Sequence, residues 1–146
     1  MSSDAEGSDG FAYSLAKIAR SDGRYDPQAF QFLFEALSYT QGLFEKNRDS
    51  ETEEGRHVTG QELCEGVRRF AIEQFGYMAK AVFEEWGVFR TDDFGEMVYL
   101  LIQHQLMARR DSDSIDDFHN VYDFASAFDD VFVPEKTKRD RASRRT

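Results

Sequence analysis

Several features that would assign this chain of 146 residues to a class of protein are missing from it. It has one cysteine, Cys64, so an intrachain disulfide is excluded, which fits a reducing compartment. No stretch approaches the roughly 18 consecutive apolar residues that a membrane-spanning helix needs. The first ten residues are polar and acidic, without the basic lead and apolar run of a secretory signal. These absences predict a cytoplasmic protein with no membrane contact.

Motifs that carry catalysis or hold a cofactor are also missing. The chain has no glycine-rich phosphate loop, nucleophile elbow or zinc signature. Residues 111–117 are rich in aspartate, but Ile115 and Asp116 stand where a calcium loop needs an oxygen ligand and a glycine. We therefore expect no metal and no cofactor. A protein without catalytic activity is favoured over an enzyme with an unrecognised site.

Histidine and cysteine offer little chemistry in this pattern. None of the three histidines has a second His or Cys at metal-ligand spacing. Cys64 lies on the apolar stripe of a predicted helix, which is typical of an inert core thiol. A Cys–His dyad of Cys64 with His57 or His119 is the alternative that the sequence leaves open.

Aromatic residues, by contrast, are plentiful, at 14% of the chain with 14 Phe. That supply of bulky apolar side chains predicts a core that forms without metal or disulfide. At this length a folded chain buries roughly 70% of the surface that its unfolded form exposes.

Helix signals follow one another along most of the chain. Asp26 and Pro27 predict the N-cap and first turn of a central helix. Thr59 and Glu62 form a capping-box pattern before another helix. Asp9 and Thr91 are predicted to cap two more, and a further helix is predicted over residues 77–86. The apolar stripes place Phe34, Phe70 and Trp86 on inward faces.

After Gln105 the helical pattern weakens. Residues 106–108 fit a last helical turn or a short strand, residues 121–124 a second strand, and residues 125–132 a final helix. We therefore predict a mainly α domain of five or six helices, with a winged helix-turn-helix and a short C-terminal hairpin as a possible variant. The predicted organisation is a disordered acidic start at 1–9, the helical domain at 10–133 and a disordered basic tail at 134–146.

Short motifs occur along the chain at 57–63 (HVTGQEL), 75–79 (FGYMA), 86–87 (WG), 91–98 (TDDFGEMV), 122–124 (YDF) and 127–128 (AF). In these motifs the sequence resembles a family of short bacterial proteins without an established activity. The resemblance covers about residues 18–132. The resemblance therefore implies a family and adds no function.

Charge is divided unevenly between the body and the tail. The net charge is −10, but residues 135–146 carry +4, which leaves −14 on residues 1–134. The basic residues of the tail are Lys136, Lys138, Arg139, Arg141, Arg144 and Arg145. Because no aromatic residue lies among them, any binding of nucleic acid by the tail should be weak and independent of sequence.

A surface for a protein partner is the leading functional expectation. The acids at 49–54 and 111–117 lie in predicted loops, where functional surface tends to lie. We predict a negative rim that includes Asp111, Asp113, Asp116 and Asp117, around an apolar centre that includes Phe89 or Tyr99. The alternatives are a nucleic-acid-associated factor that acts through the tail, and an enzyme.

Overall fold

The computed structural model describes residues 3–44, 57–108 and 114–129, and for residues 3–9 it describes the backbone alone. Within these ranges the chain is mainly helical and forms five α-helices. They are α1 (Ser3–Asp22), α2 (Pro27–Leu43), α3 (Gly60–Phe75), α4 (Ala79–Glu85) and α5 (Thr91–Gln103). Two 3₁₀ turns, Gly76–Met78 and Ile115–Phe118, and a π-helical turn, Ala125–Asp129, complete the described elements.

Two of the predicted helix starts are confirmed in detail. The Asp26 carboxylate accepts a hydrogen bond from the Gln28 amide, and Pro27 is the first residue of α2. At α3 the Thr59 hydroxyl accepts from the Glu62 amide while the Glu62 carboxylate accepts from the Thr59 amide. These reciprocal bonds satisfy donors that the first helical turn leaves unpaired.

Helix α2 is central, as its two apolar faces predict. It packs against α1 on one side and α3 on the other. Phe30, Leu33 and Ala36 are fully buried between these neighbours. Phe34, Phe70 and Trp86 pack against the core but are only partly buried.

Phe83 of α4 is the centre of an aromatic cluster that joins α2, α4, α5 and the C-terminal turn. Its ring lies 5.5–6.1 Å, centroid to centroid, from five other rings. Those rings belong to Phe32, Trp86, Phe94, Phe124 and Phe128. The segment that ends at Asp129 is thus part of the core.

Two predicted helix starts are wrong. Helix α1 begins at Ser3, so Asp9 lies inside it and does not cap it. Helix α5 begins with Thr91 itself, and Arg90 is its N-cap residue. Asp93 closes this helix end instead, because its carboxylate accepts the Phe89 and Arg90 amides. The Thr91 hydroxyl is engaged elsewhere, by Phe118 and Val121.

The predicted hairpin is also wrong, and with it the winged helix-turn-helix. No strand occurs among residues 3–44, 57–108 and 114–129. Residues 121–123 are irregular, and Phe124 and Phe128 face the core from a helical turn. Aromatic burial against Phe83 therefore replaces strand pairing as the interaction that holds this segment. The predicted domain limits at residues 10 and 133 stay a prediction.

None of the helices described here is long and apolar enough to cross a membrane.

Candidate functional site

An open apolar pocket of about 350 Å³ lies between α2, the start of α3, α5 and the 3₁₀ turn at 115–118. Its volume falls in the range of ligand-binding clefts, about 300–1,000 Å³. Its apolar lining residues other than Phe118 and Gly60 are Leu37, Val58, Leu63, Val98, Ile102, Met107 and Ala108. Polar groups are contributed by Gln41, His57, Thr59, Ser114 and Asp117. We refer to this cavity as the pocket.

Two glycines allow the wall of the pocket to lie close to the backbones of α3 and α5. A Cβ at Gly60 would lie 2.9 Å from Asp117 Cβ and 3.0 Å from the Phe118 ring. A Cβ at Gly95, inside α5, would lie 2.9 Å from Phe118 Cβ. Glycine within a helix is costly, and here it permits a buried aromatic side chain to pack against two helix backbones. The Phe118 side chain, here called the wedge, therefore packs between α3 and α5 and fixes the 3₁₀ turn against them.

The chain after this wedge is tied to the first turn of α5. The Thr91 hydroxyl, which is fully buried, donates to the Phe118 carbonyl at 2.7 Å and accepts from the Val121 amide at 3.0 Å. Asp92 uses both carboxylate oxygens: Oδ1 accepts from the Asn120 amide and Oδ2 lies 2.7 Å from His119 Nδ1. These bonds, the Asn120 amide first, lower the pKa of the Asp92 carboxyl below its usual value.

The pocket has a negative edge. Among the described residues that line it, Asp117 is the one acidic residue, and none is Lys or Arg. Asp117 also has a local role, because its carboxylate accepts the Ser114 amide at 3.3 Å while the Ser114 hydroxyl accepts the Asp116 amide at 3.2 Å. The Asp117 carboxylate takes part in this capping, whereas Asp116 contributes its backbone amide. Their charges are exposed or partly exposed and remain available to a partner.

The other residues predicted for a partner surface lie apart from the pocket lining. Phe89 is 59% exposed in the α4–α5 loop, and Tyr99 is 47% exposed on α5. Neither lines the pocket. Asp111, Asp113 and the six basic residues of the tail lie outside the described residues.

Cys64 lies on the buried face of α3 with no exposed surface, and its carbonyl accepts the Tyr122 hydroxyl at 2.7 Å. Burial raises the pKa of its thiol to about 12, so the thiolate that acts as a nucleophile is scarce at neutral pH. His57 lines the pocket, whereas His119 is bonded to Asp92. Among the described residues, no group of three or more His, Cys, Asp or Glu is placed to hold a metal ion.

Sequence reasoning missed Phe118 and the pocket that it borders. It assigned Val98 and Ile102 to the core, but both are only partly buried and line the cavity. The available signal was glycine: Gly60 in the first turn of α3 and Gly95 inside α5 mark places where another group approaches the backbone.

No protein-family model, curated protein or solved structure matches this chain. The resemblance to a family of short bacterial proteins therefore stays a prediction.

Proposed function

We propose that this protein is a non-enzymatic interaction module that binds an apolar side chain of a basic protein segment in the pocket. The observation that carries the proposal is an open apolar cavity with a carboxylate at its edge and no lysine or arginine among the described residues that line it. A chain segment with an aliphatic side chain next to Lys or Arg matches both features.

The aliphatic lining supplies the favourable free energy of binding. Full burial of a Leu, Ile or Phe side chain contributes about 1.5–3 kcal/mol relative to leaving it in water. One anchor of this kind gives weak affinity, so a partner needs contacts outside the pocket as well. Phe89 and Tyr99 are less suitable anchors, because an isolated exposed aromatic side chain is common on protein surfaces.

The negative charge of the protein favours a positively charged partner. The body carries −14, and Asp116 and Asp117 lie at or beside the pocket. A cationic segment is attracted to such a surface over about a Debye length, whereas nucleic acid and acidic proteins are repelled.

The positive tail at 135–146 keeps a nucleic-acid role as the alternative that the sequence predicts. Truncation after Pro134 should abolish any such binding and leave stability almost unchanged.

The test is selection of peptides from a phage-displayed random library on the full chain, followed by binding to two variants of α5. Val98→Phe puts a larger side chain into the pocket, and Tyr99→Phe changes the neighbouring residue, which does not line it. We expect selected peptides to combine an aliphatic residue with Lys or Arg. Their affinity should fall at least tenfold for Val98→Phe and stay unchanged for Tyr99→Phe, provided that both variants melt as the parent does.

Peptides that bind Val98→Phe as well as they bind the parent chain would place the partner surface elsewhere. Enrichment of acidic peptides would contradict the charge argument. If the pocket instead binds a small apolar molecule and no peptide is enriched, the interaction-module proposal fails.

Neutralising the acids of the rim should slow association. Changing Asp111, Asp113, Asp116 and Asp117 to Asn removes the four charges of the predicted rim, of which Asp117 lines the pocket and Asp116 is its neighbour in the chain. The on-rate of a selected peptide, measured by surface plasmon resonance, should fall more than the off-rate rises. The effect should disappear with salt, since the Debye length shrinks from about 10 Å at 0.1 M to about 3 Å at 1 M.

The matched control removes four exposed acids that do not line the pocket. These are Glu35, Glu73, Glu84 and Glu85, each changed to Gln. Both variants have the same net charge, so only the position of the charges differs. Equal on-rates for the two variants, or an on-rate of the parent that salt leaves unchanged, would contradict a role of the rim in association. The acidic residues would then contribute only to solubility.

A further inference from the structure

We infer that Asp92, which does not line the pocket, is a positioning residue that controls how well the pocket binds. It does so by holding residues 118–121, here called the wall segment, against the first turn of α5. The control of binding rests on the proposed function of the pocket, whereas the hold on the wall segment does not. No contact of Asp92 with the partner is needed.

Both carboxylate oxygens of Asp92 bond to the wall segment. Its two carboxylate oxygens take the Asn120 amide at 3.0 Å and His119 Nδ1 at 2.7 Å, and both residues directly follow Phe118. Thr91 adds the Phe118 carbonyl and the Val121 amide. Four consecutive residues of the wall segment are therefore tied to two consecutive residues of α5, about two helical turns before Val98, the first lining residue of that helix.

The wall segment begins at the edge of the pocket. Phe118 lines the pocket, and Asp117 and Ser114 precede it in the same turn. The Phe118 ring is set between the backbones of α3 and α5 where Gly60 and Gly95 have no side chains. A shift of residues 119–121 must therefore move the Phe118 wedge and with it the carboxylate edge at Asp117.

The wall segment is held in a conformation that it does not favour on its own. Asn120 has φ +46°, in the left-handed region that is strained for most L-residues, although asparagine tolerates it better than most. The Asn120 amide is bonded to an ionised carboxylate, and such charge-assisted bonds are about twice as strong as neutral ones. Loss of the Asp92 carboxylate therefore removes the bond that opposes relaxation of the backbone.

His119 contributes less than the Asn120 amide. Its side chain is 73% exposed, so water competes for its bond to Asp92. Removing the imidazole should loosen the wall segment only slightly. Removing the carboxylate should release both bonds at once.

The experiment compares Asp92→Ala with His119→Ala and with Glu96→Ala, all in the full chain. Glu96 lies one turn further along α5 and pairs with Arg24 at 3.6 Å, away from the wall segment. Three quantities are measured for each variant. They are amide hydrogen exchange at Asn120 and Val121, the methyl chemical shifts of Leu63 and Ile102, and the fluorescence-monitored affinity for the neutral apolar probe 1-N-phenylnaphthylamine.

In Asp92→Ala we expect exchange at both amides to speed up at least tenfold, the pocket methyl resonances to move, and probe affinity to fall about fivefold or more. His119→Ala should change exchange less than threefold, and Glu96→Ala should change none of the three. Unchanged exchange in Asp92→Ala would overturn the inference. So would faster exchange with unmoved methyl resonances, because the wall segment would then not shape the pocket.

Failure of the proposed function looks different. If the parent chain binds neither probe nor peptide, the pocket loses its binding role, and the inference then loses its claim about binding. The exchange rates and methyl shifts of Asp92→Ala still decide whether Asp92 holds the wall. If Asp92→Ala does not fold, Asp92→Asn, which keeps the shape and loses the charge, should speed up exchange at Asn120 by a smaller factor.

Discussion

Replacing Phe83 with alanine is expected to lower the free energy of unfolding by about 3–5 kcal/mol, the range for loss of a fully buried Phe side chain. The Phe83 side chain is 1% exposed and contacts rings from α2, α5 and the C-terminal turn. Because these rings come from three elements, the cavity cannot be closed by moving one of them. Urea unfolding followed by circular dichroism measures the change.

Phe89→Ala is the matched control, since it removes the same side chain six residues later, where it is 59% exposed. Its cost should stay within about 0.5 kcal/mol, as for most surface substitutions. A similar cost for the two variants would contradict the central position of Phe83. The half-buried Phe34, Phe70 and Trp86 should fall between these two values, below the cost expected for full burial.

Gly87→Ala should be the most damaging of the glycine substitutions at positive φ. Gly87 has φ +85°, and a Cβ there would lie 2.2 Å from the backbone oxygen of Arg24. The two loops are also joined close by, because the Asp26 amide donates to the Trp86 carbonyl at 3.1 Å. The two loops that connect α1 to α2 and α4 to α5 would have to separate.

Gly23→Ala provides the comparison that isolates this contact. Gly23 has φ +83°, nearly the same as Gly87, but nothing within 4 Å of an added Cβ. It should cost roughly 1–2 kcal/mol for the left-handed conformation alone. Gly87→Ala should cost about 1–3 kcal/mol more, the range for overpacking. Equal melting temperatures for the two variants would show that the loops are not in contact.

Local signals in the sequence were sufficient for the helices whose caps lie next to them. Asp26 with Pro27, and Thr59 with Glu62, act within three residues of themselves, so their roles can be predicted without the fold. The apolar stripe of α2 likewise predicts a central helix, because two apolar faces require two neighbours.

Long-range bonds explain the failures. Thr91 has the residue type of an N-cap, but its hydroxyl bonds to Phe118 and Val121, about 30 residues away. Residues 121–124 have the composition of a strand, but Phe124 is used in an aromatic cluster with Phe83 and Phe94. A pattern confined to a short window contains neither partner.

Only the negative charge of the candidate site was predictable from the sequence. The acids at 116–117 were expected to border a partner surface, and Asp117 does line the pocket. The apolar part lies elsewhere than expected, because Val98 and Ile102 have the periodicity of core residues and only the fold shows that a cavity opens over them.

The most direct measurement of the central claim is site-specific photo-crosslinking in the cell that expresses this chain. A benzophenone amino acid is placed at Ile102, which lines the pocket, or at Tyr99, which lies on the same helix outside it. The account predicts that position 102 crosslinks to one protein, at a peptide with Lys or Arg within a few residues of an aliphatic side chain, and that position 99 does not. Crosslinks of equal yield at both positions, or to acidic peptides, would contradict it.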